Sequence, residues 1–239
     1  MLKYPFRKIG GLALSFAAFA ISGTPVGPPT FENEQLRYSI NWPSGLSLGE
    51  AELESSRDKG SGDVAPRQHL EFDLDAAVPG FSVTDRYHSE ASSEFCSVEF
   101  QRTASHGQKK TNEKTSFDSS GTATRETIGG GKSEMKTGVC GKDALAFLYY
   151  VRRELSQGRM PAPQTIYFGA AYEIRMAFAG TQSIKLGDKR VEADRVTASL
   201  KGPASEIGFE VFFLKDAART PALVRVPLAL GTFSMELVR

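Results

Sequence analysis

Between Cys140 and Gly158 lies the one segment of this chain with the period and the punctuation of a helix. Asp143 stands where a carboxylate accepts bonds from the orphan N–H groups of a first turn. Arg152 and Arg153 stand toward the other end, where positive charge suits the helix dipole. Gly158 supplies the left-handed residue that closes a helix. From Ala144 to Val151 the segment is apolar with no polar stripe, and a helix of that kind is buried on most sides. The rest of the chain reads as strands. The fold expected is therefore mainly β, an antiparallel, strongly curved sheet or incomplete barrel wrapping one central helix at about residues 143–157.

The strand signals run the length of the chain. In Glu34–Trp42, Leu36, Tyr38, Ile40 and Trp42 alternate with polar residues, the mark of a half-buried strand. Leu46–Ser55, His69–Val78 and Glu94–Arg102 repeat the pattern, and Thr103–Gln108 reads as a turn. Phe81–Ala91 fits a short helix or a structured loop. Lys109–Asp118 and Thr122–Ile128 are hydroxyl-rich strands of the kind found at a sheet edge. Ile166, Phe168, Ala170, Tyr172, Ile174, Met176 and Phe178 keep strict period two and predict one long strand. Five further strands follow at hairpin spacing. No repeat and no linker divides the strand-rich halves, so residues 34–239 are expected to form one β-rich domain.

The N-terminal pattern predicts a chain that leaves the cytoplasm. Lys3, Arg7 and Lys8 precede the apolar run Ile9–Ile21, which is short for a membrane span and ends near Ala18-Phe-Ala20. Residues 1–20 read as a signal peptide cut near 20–23, and residues 24–33 as a proline-rich linker. No cysteine follows closely, so a lipid-anchored form is not expected. The protein is expected to be exported, periplasmic or envelope-associated. There Cys96 and Cys140, the only two cysteines, would form a disulfide.

Several functions are set aside by what the sequence lacks. A formal net charge of +1 gives no electrostatic case for nucleic acid. Gly129-Gly-Gly-Lys-Ser133 has Glu126 where a phosphate loop needs its first glycine, so no nucleotide is expected. No Cys-x-x-Cys or close Cys/His spacing predicts a metal, and no cofactor is expected. Asp85, His88 and Ser89 share only composition with a catalytic triad, which is defined by geometry. Asp73 and Asp75 point to one face of a regular strand and could serve acid–base chemistry in a cleft, or be a solvated strand face. No catalytic constellation emerges, so a non-enzymatic binding protein is the leading expectation, with a structural or assembly factor of the envelope and a periplasmic hydrolase as the alternatives.

The aromatic residues leave two readings open. Trp42, Phe147, Tyr149, Tyr150 and Tyr172 could line one interior that receives a lipid or other amphiphile, with Arg152 and Arg153 pairing an anionic headgroup at its mouth. Plain core packing is the other reading, and the commoner fate of buried aromatics. Beside a lipid, an envelope protein is the other partner expected.

Asp143-Ala-Leu-Ala-Phe-Leu-Tyr-Tyr-Val-Arg-Arg153, with Gly158 behind it, resembles the signature of domain-of-unknown-function family 3108, a group of uncharacterised bacterial exported proteins. Phe212–Val226, with Asp216 and an Arg-x-Pro turn at Arg219 and Pro221, is similar to the family's C-terminal strands, as is Leu230–Leu237. Leu48–Leu53 and Phe81–Arg86 resemble earlier segments. The resemblance implies an exported β-rich protein whose curved sheet wraps a helix, and it implies no reaction.

Overall fold

A computed structural model describes residues 29, 31–60, 65–78, 80–229 and 231–238. The expected signal segment and most of the linker lie outside the described residues. The first half of the chain forms β1 (Glu34–Asn41), β2 (Ser47–Arg57), β3 (Arg67–Val78), β4 (Phe81–Ser92), β5 (Ser97–His106), β6 (Lys109–Phe117), β7 (Thr122–Thr127) and β8 (Lys132–Lys136). A two-residue β9 (Lys142–Asp143) leads into α1 (Ala144–Ser156). Then come β10 (Gln164–Tyr167), β11 (Ala171–Leu186), β12 (Lys189–Lys201), β13 (Glu206–Leu214), β14 (Pro221–Leu228) and β15 (Gly231–Leu237).

All fifteen strands join one sheet, in the order β8 back to β1, then β15 back to β9. Successive strands pair antiparallel through hairpins, and β1 pairs with β15 to join the two halves. The exception is β9 with β10, which run parallel. Parallel neighbours need a crossover, and α1 is that crossover. The sheet is mainly antiparallel, curved and open, as the sequence pattern implies.

Its two ends nevertheless meet. Ser97 donates its backbone N–H to Gly141 O at 2.9 Å, and the Tyr167 hydroxyl donates to Lys136 O at 2.8 Å. The Arg125 guanidinium donates to Gly169 O. Gly169 turns with φ +71°, and a Cβ there would fall 2.5 Å from Glu113 Oε1. Only glycine lets this corner seat against β5 and β6. Isolated bonds, most of them from side chains, thus bring the edges together without a ladder of backbone bonds.

The helix is buried on two sides because it carries two apolar stripes. Leu145 and Tyr149 follow the spacing i, i+4, with the buried charge of Arg152 on the same face at i+7, while Phe147, Val151 and Leu155 follow i, i+4, i+8 on another face. Leu145 and Tyr149 pack with Tyr38, Leu53, Leu70 and Phe100 of the first strands. Phe147, Val151 and Leu155 pack with Ile174, Val196, Val211 and Phe213 of the later strands. The absence of a polar stripe in the sequence is the trace of this double packing.

Three expectations need correction. The period-two run through Phe178 is a hairpin and not one strand, since Ile166 pairs with Tyr172 across the turn at Gly169. Phe81–Ser92 is a full strand, neither helix nor loop. The turn expected at Thr103–Gln108 begins later, because β5 continues to His106. One residue of the expected linker, Phe31, is only 2% exposed and belongs to the core, edge-on to Tyr149 with centroids 5.0 Å apart.

Candidate functional site

The helix is anchored at both ends by buried charges. Asp143, fully buried, caps the first turn: its Oδ1 accepts from the N–H groups of Leu145 and Ala146 at 2.8 and 3.0 Å. Its Oδ2 accepts from the hydroxyls of Ser89 on β4 and Ser97 on β5 at 2.7 and 2.6 Å. Burial pushes the carboxyl above the ordinary aspartate range, and these donors oppose the shift. Beside this cap the Cys96–Cys140 disulfide joins the entrance of β5 to the segment before β9, across a sequence separation of 44. At the C-terminus, Gly158 (φ +71°) and Arg159 donate their N–H groups to Leu155 O and Glu154 O, a Schellman closure.

Arg152 is also fully buried. It clasps Glu34 of β1 with two bonds of 2.6 Å, and its Nε donates to Ala218 O at 3.1 Å in the turn between β13 and β14. Its guanidinium stacks on Phe31 at 4.4 Å and Tyr149 at 4.8 Å. Glu34 holds Arg152 above its usual range against the pull of burial, so the arginine stays charged. The same turn is built by Asp216, which accepts from the Thr220 N–H and hydroxyl. Arg219, at φ +48°, pairs with Asp194 at 2.8 Å, and Pro221 O accepts from the Tyr38 hydroxyl. Arg219 and Pro221 are turn chemistry here.

The aromatic residues singled out in the sequence do not line one cavity. Phe147 and Tyr149 face different clusters on opposite sides of the helix. Tyr150 carries Lys142 Nζ at 4.7 Å and Arg153 at 5.4 Å over its ring. Tyr172 lies against Gly202, where a Cβ would fall 2.3 Å from its ring. Trp42 stands apart, edge-on to Phe233 at 4.8 Å. Arg152 is taken by Glu34, and Arg153 by Glu94 at 2.8 Å. The set divides: Phe147, Tyr150 and Tyr172 share the cluster of Val196 and Phe213, whereas Tyr149 belongs to the other cluster and Trp42 to neither.

The candidate acid–base residues separate in the same way. Asp85 and His88 lie an odd number of residues apart on β4, so they face opposite sides of the sheet. Asp85 meets His106 at 2.9 Å, and Ser89 is committed to Asp143. Asp73 and Asp75 do share the outer face, where both meet Arg86, at 3.5 and 2.5 Å. Arg86 and Thr84 hold Asp75 below the usual carboxylate range, while burial raises Asp73. Further along this face, His69, His88 and Glu90 each offer one ligand atom within 4.8 Å of the others, a grouping able to hold a cation.

The outer face also carries the open grooves. The register aligns Asn41, Ser234, Arg225, Glu210 and Thr197 in one row across β1, β15, β14, β13 and β12. Such a row is about 19 Å long at the usual strand spacing. Two adjoining grooves, of about 600 and 540 Å³, share Arg225 and Thr232 along it, and Trp42 lines the second. Sequence reading missed this row because its members come from strands far apart in the chain.

A curved open sheet that wraps its own crossover helix defines a β-barrel-like protein. Residues 37–238 match the family model described as a protein of unknown function (DUF3108), and the chain belongs to that family. The fold is similar to that of a crystallised β-barrel-like protein of domain of unknown function DUF1849 from Brucella abortus. That likeness has a TM-score of 0.59 and 8% identity, and covers 86% of this chain and 95% of the other. No curated protein matches. The helix block that carries the family resemblance is the block that anchors α1 through Asp143 and Arg152, while Glu34, which completes the clasp, stands just before the matched region.

Proposed function

We propose that this is an exported, non-enzymatic protein of the cell envelope that works by binding, and that its ligand is a segment of an envelope protein held along the outer face of the sheet. The observation that carries this is the row Asn41–Ser234–Arg225–Glu210–Thr197 with its two adjoining grooves. The row offers the Arg225 cation beside the polar groups of Asn41, Ser234 and Thr197, with Glu210 held by Arg195, and Trp42 adds an aromatic surface at one end. Extended polypeptide suits an open groove of mixed polarity and this length better than an acyl chain, which needs an apolar enclosure. Of the residues first considered for an amphiphile, Phe147 and Tyr149 are 4% and 0% exposed and Arg152 has its carboxylate, while Trp42 lines the groove. Export is supported by the N-terminal pattern and is consistent with the disulfide.

A photo-cross-linking residue placed at Thr197 or Ser234, in the full chain in its own cells, tests the reading. It should yield one discrete protein-sized adduct that disappears with Arg225→Glu, and none from Lys132 on β8. A lipid-sized adduct would return the amphiphile to first place. No adduct from either position would sink the proposal.

A further inference from the structure

The two histidines on the outer face of β3 and β4 hold an arrangement that the proposed binding row does not use. The register sets His69 opposite Glu90 and Glu71 opposite His88. The two imidazoles, diagonal neighbours on one face, stack with centroids 6.2 Å apart and planes 28° from parallel. One ligand atom from each of His69, His88 and Glu90 lies within 4.8 Å of the others. Each ring also meets a second carboxylate: His69 Nε2 lies 3.4 Å from Asp58 Oδ2, and His88 Nδ1 lies 3.3 Å from Glu71 Oε1. A carboxylate on one imidazole nitrogen fixes the ring and leaves the other nitrogen as a metal donor, the usual support around a metal-binding histidine.

We propose that His69, His88 and Glu90 form a site for a divalent transition-metal ion, zinc being the ion their donor set fits. Two imidazoles and one carboxylate are a known zinc ligand set, with a fourth position left to water. Imidazole donors favour zinc, copper or nickel over magnesium and calcium, which prefer oxygen alone. Tetrahedral ligands about 2.0–2.1 Å from zinc stand roughly 3.4 Å from one another. The three donors therefore close by about 1.4 Å at most, a side-chain rotation open to residues on a solvent face. The histidine side chains are 31% and 33% exposed, so the ion reaches the site directly from solvent. Glu90 also pairs with Arg67 at 2.8 Å, and Glu99, opposite Glu90, pairs with Lys114 at 2.6 Å. The metal thus competes with Arg67 for Glu90, and the site is exchangeable rather than structural. The linear spacing that predicted no metal is closed by the β3–β4 hairpin.

Zinc ion alone, titrated into the untagged chain against a chromogenic chelator, provides the test. One equivalent should bind, at least tenfold more weakly in His69→Ala and His88→Ala, and unchanged in His106→Ala. Glu71→Gln, which removes only the orienting carboxylate, should weaken binding about 10–100-fold. A second measurement needs no variant. Zinc should protect His69 and His88, and not His106, from histidine acylation read by mass spectrometry. Failure of the wild-type chain to bind zinc, binding that survives the loss of both histidines, or acylation of His69 and His88 indifferent to zinc would each overturn the site.

Discussion

Arg152 with Glu34 and Arg86 with Asp73 and Asp75 are the same chemistry in two places. Both are arginines joining strand carboxylates. Arg152 is fully buried, stacked between two rings, and doubly bonded to a carboxylate that also accepts from the Tyr149 hydroxyl. Arg86 is 40% exposed, and its two aspartates are more so. In the interior Arg152 has no water to turn to and Glu34 has little, so breaking the pair strands a charge. On the outer face water replaces either partner, and an exposed pair contributes about 0–1 kcal/mol. The interior pair therefore fixes the architecture, holding α1 to the start of β1 and to the β13–β14 turn. The outer charges remain free to meet something else.

Substitutions rank accordingly. Removing the disulfide with Cys96→Ser and Cys140→Ser should cost about 4 kcal/mol by loop entropy. That loss should match wild type unfolded under reducing conditions. Arg152→Ala should cost about 3 kcal/mol of unfolding free energy, because the largely shielded Glu34 loses its cation and the stacking on Phe31 and Tyr149 is lost. Chemical denaturation measures it, and a loss below about 1 kcal/mol would erase the contrast with Arg86. Asp143→Ala should cost about 2 kcal/mol, as it leaves two serine hydroxyls and two helix N–H groups without their acceptor. Arg86→Ala should cost under about 1 kcal/mol. Glu154 adds a pH test of the smallest size. Arg159 holds its carboxyl below the usual range, so its contribution is present above the unfolded carboxylate value and lost as pH falls through the folded one. The difference between wild type and Glu154→Gln should be small at neutral pH and vanish in acid.

Much of this frame is written locally in the chain. The helix, its Asp143 cap and its Gly158 closure are legible because each depends on residues within a few positions. The misread hairpin shows a limit of the period-two signal. Ile166 faces Tyr172 across the turn, so both sides keep the same parity and the alternation runs through the reversal unbroken. Only Gly169 marks the corner. β4 was hidden for a different reason. Its buried face carries Asp85 and Ser89, so polar residues occupy both faces and no alternation appears. The Arg152–Glu34 clasp is invisible in sequence because its partners lie far apart in the chain, and the His69–His88 pair because only the β3–β4 register sets the two rings side by side. The aromatic residues looked like one site because sequence carries residue type without direction.

The direct measurement of the central claim is a double-mutant cycle between Arg152→Ala and Glu34→Ala in the intact chain. A latch of the kind described predicts a coupling energy of about 2–3 kcal/mol, each single variant losing nearly as much as the double. Losses that simply add, to within about 0.5 kcal/mol, would show that the buried pair does not hold the helix to the sheet.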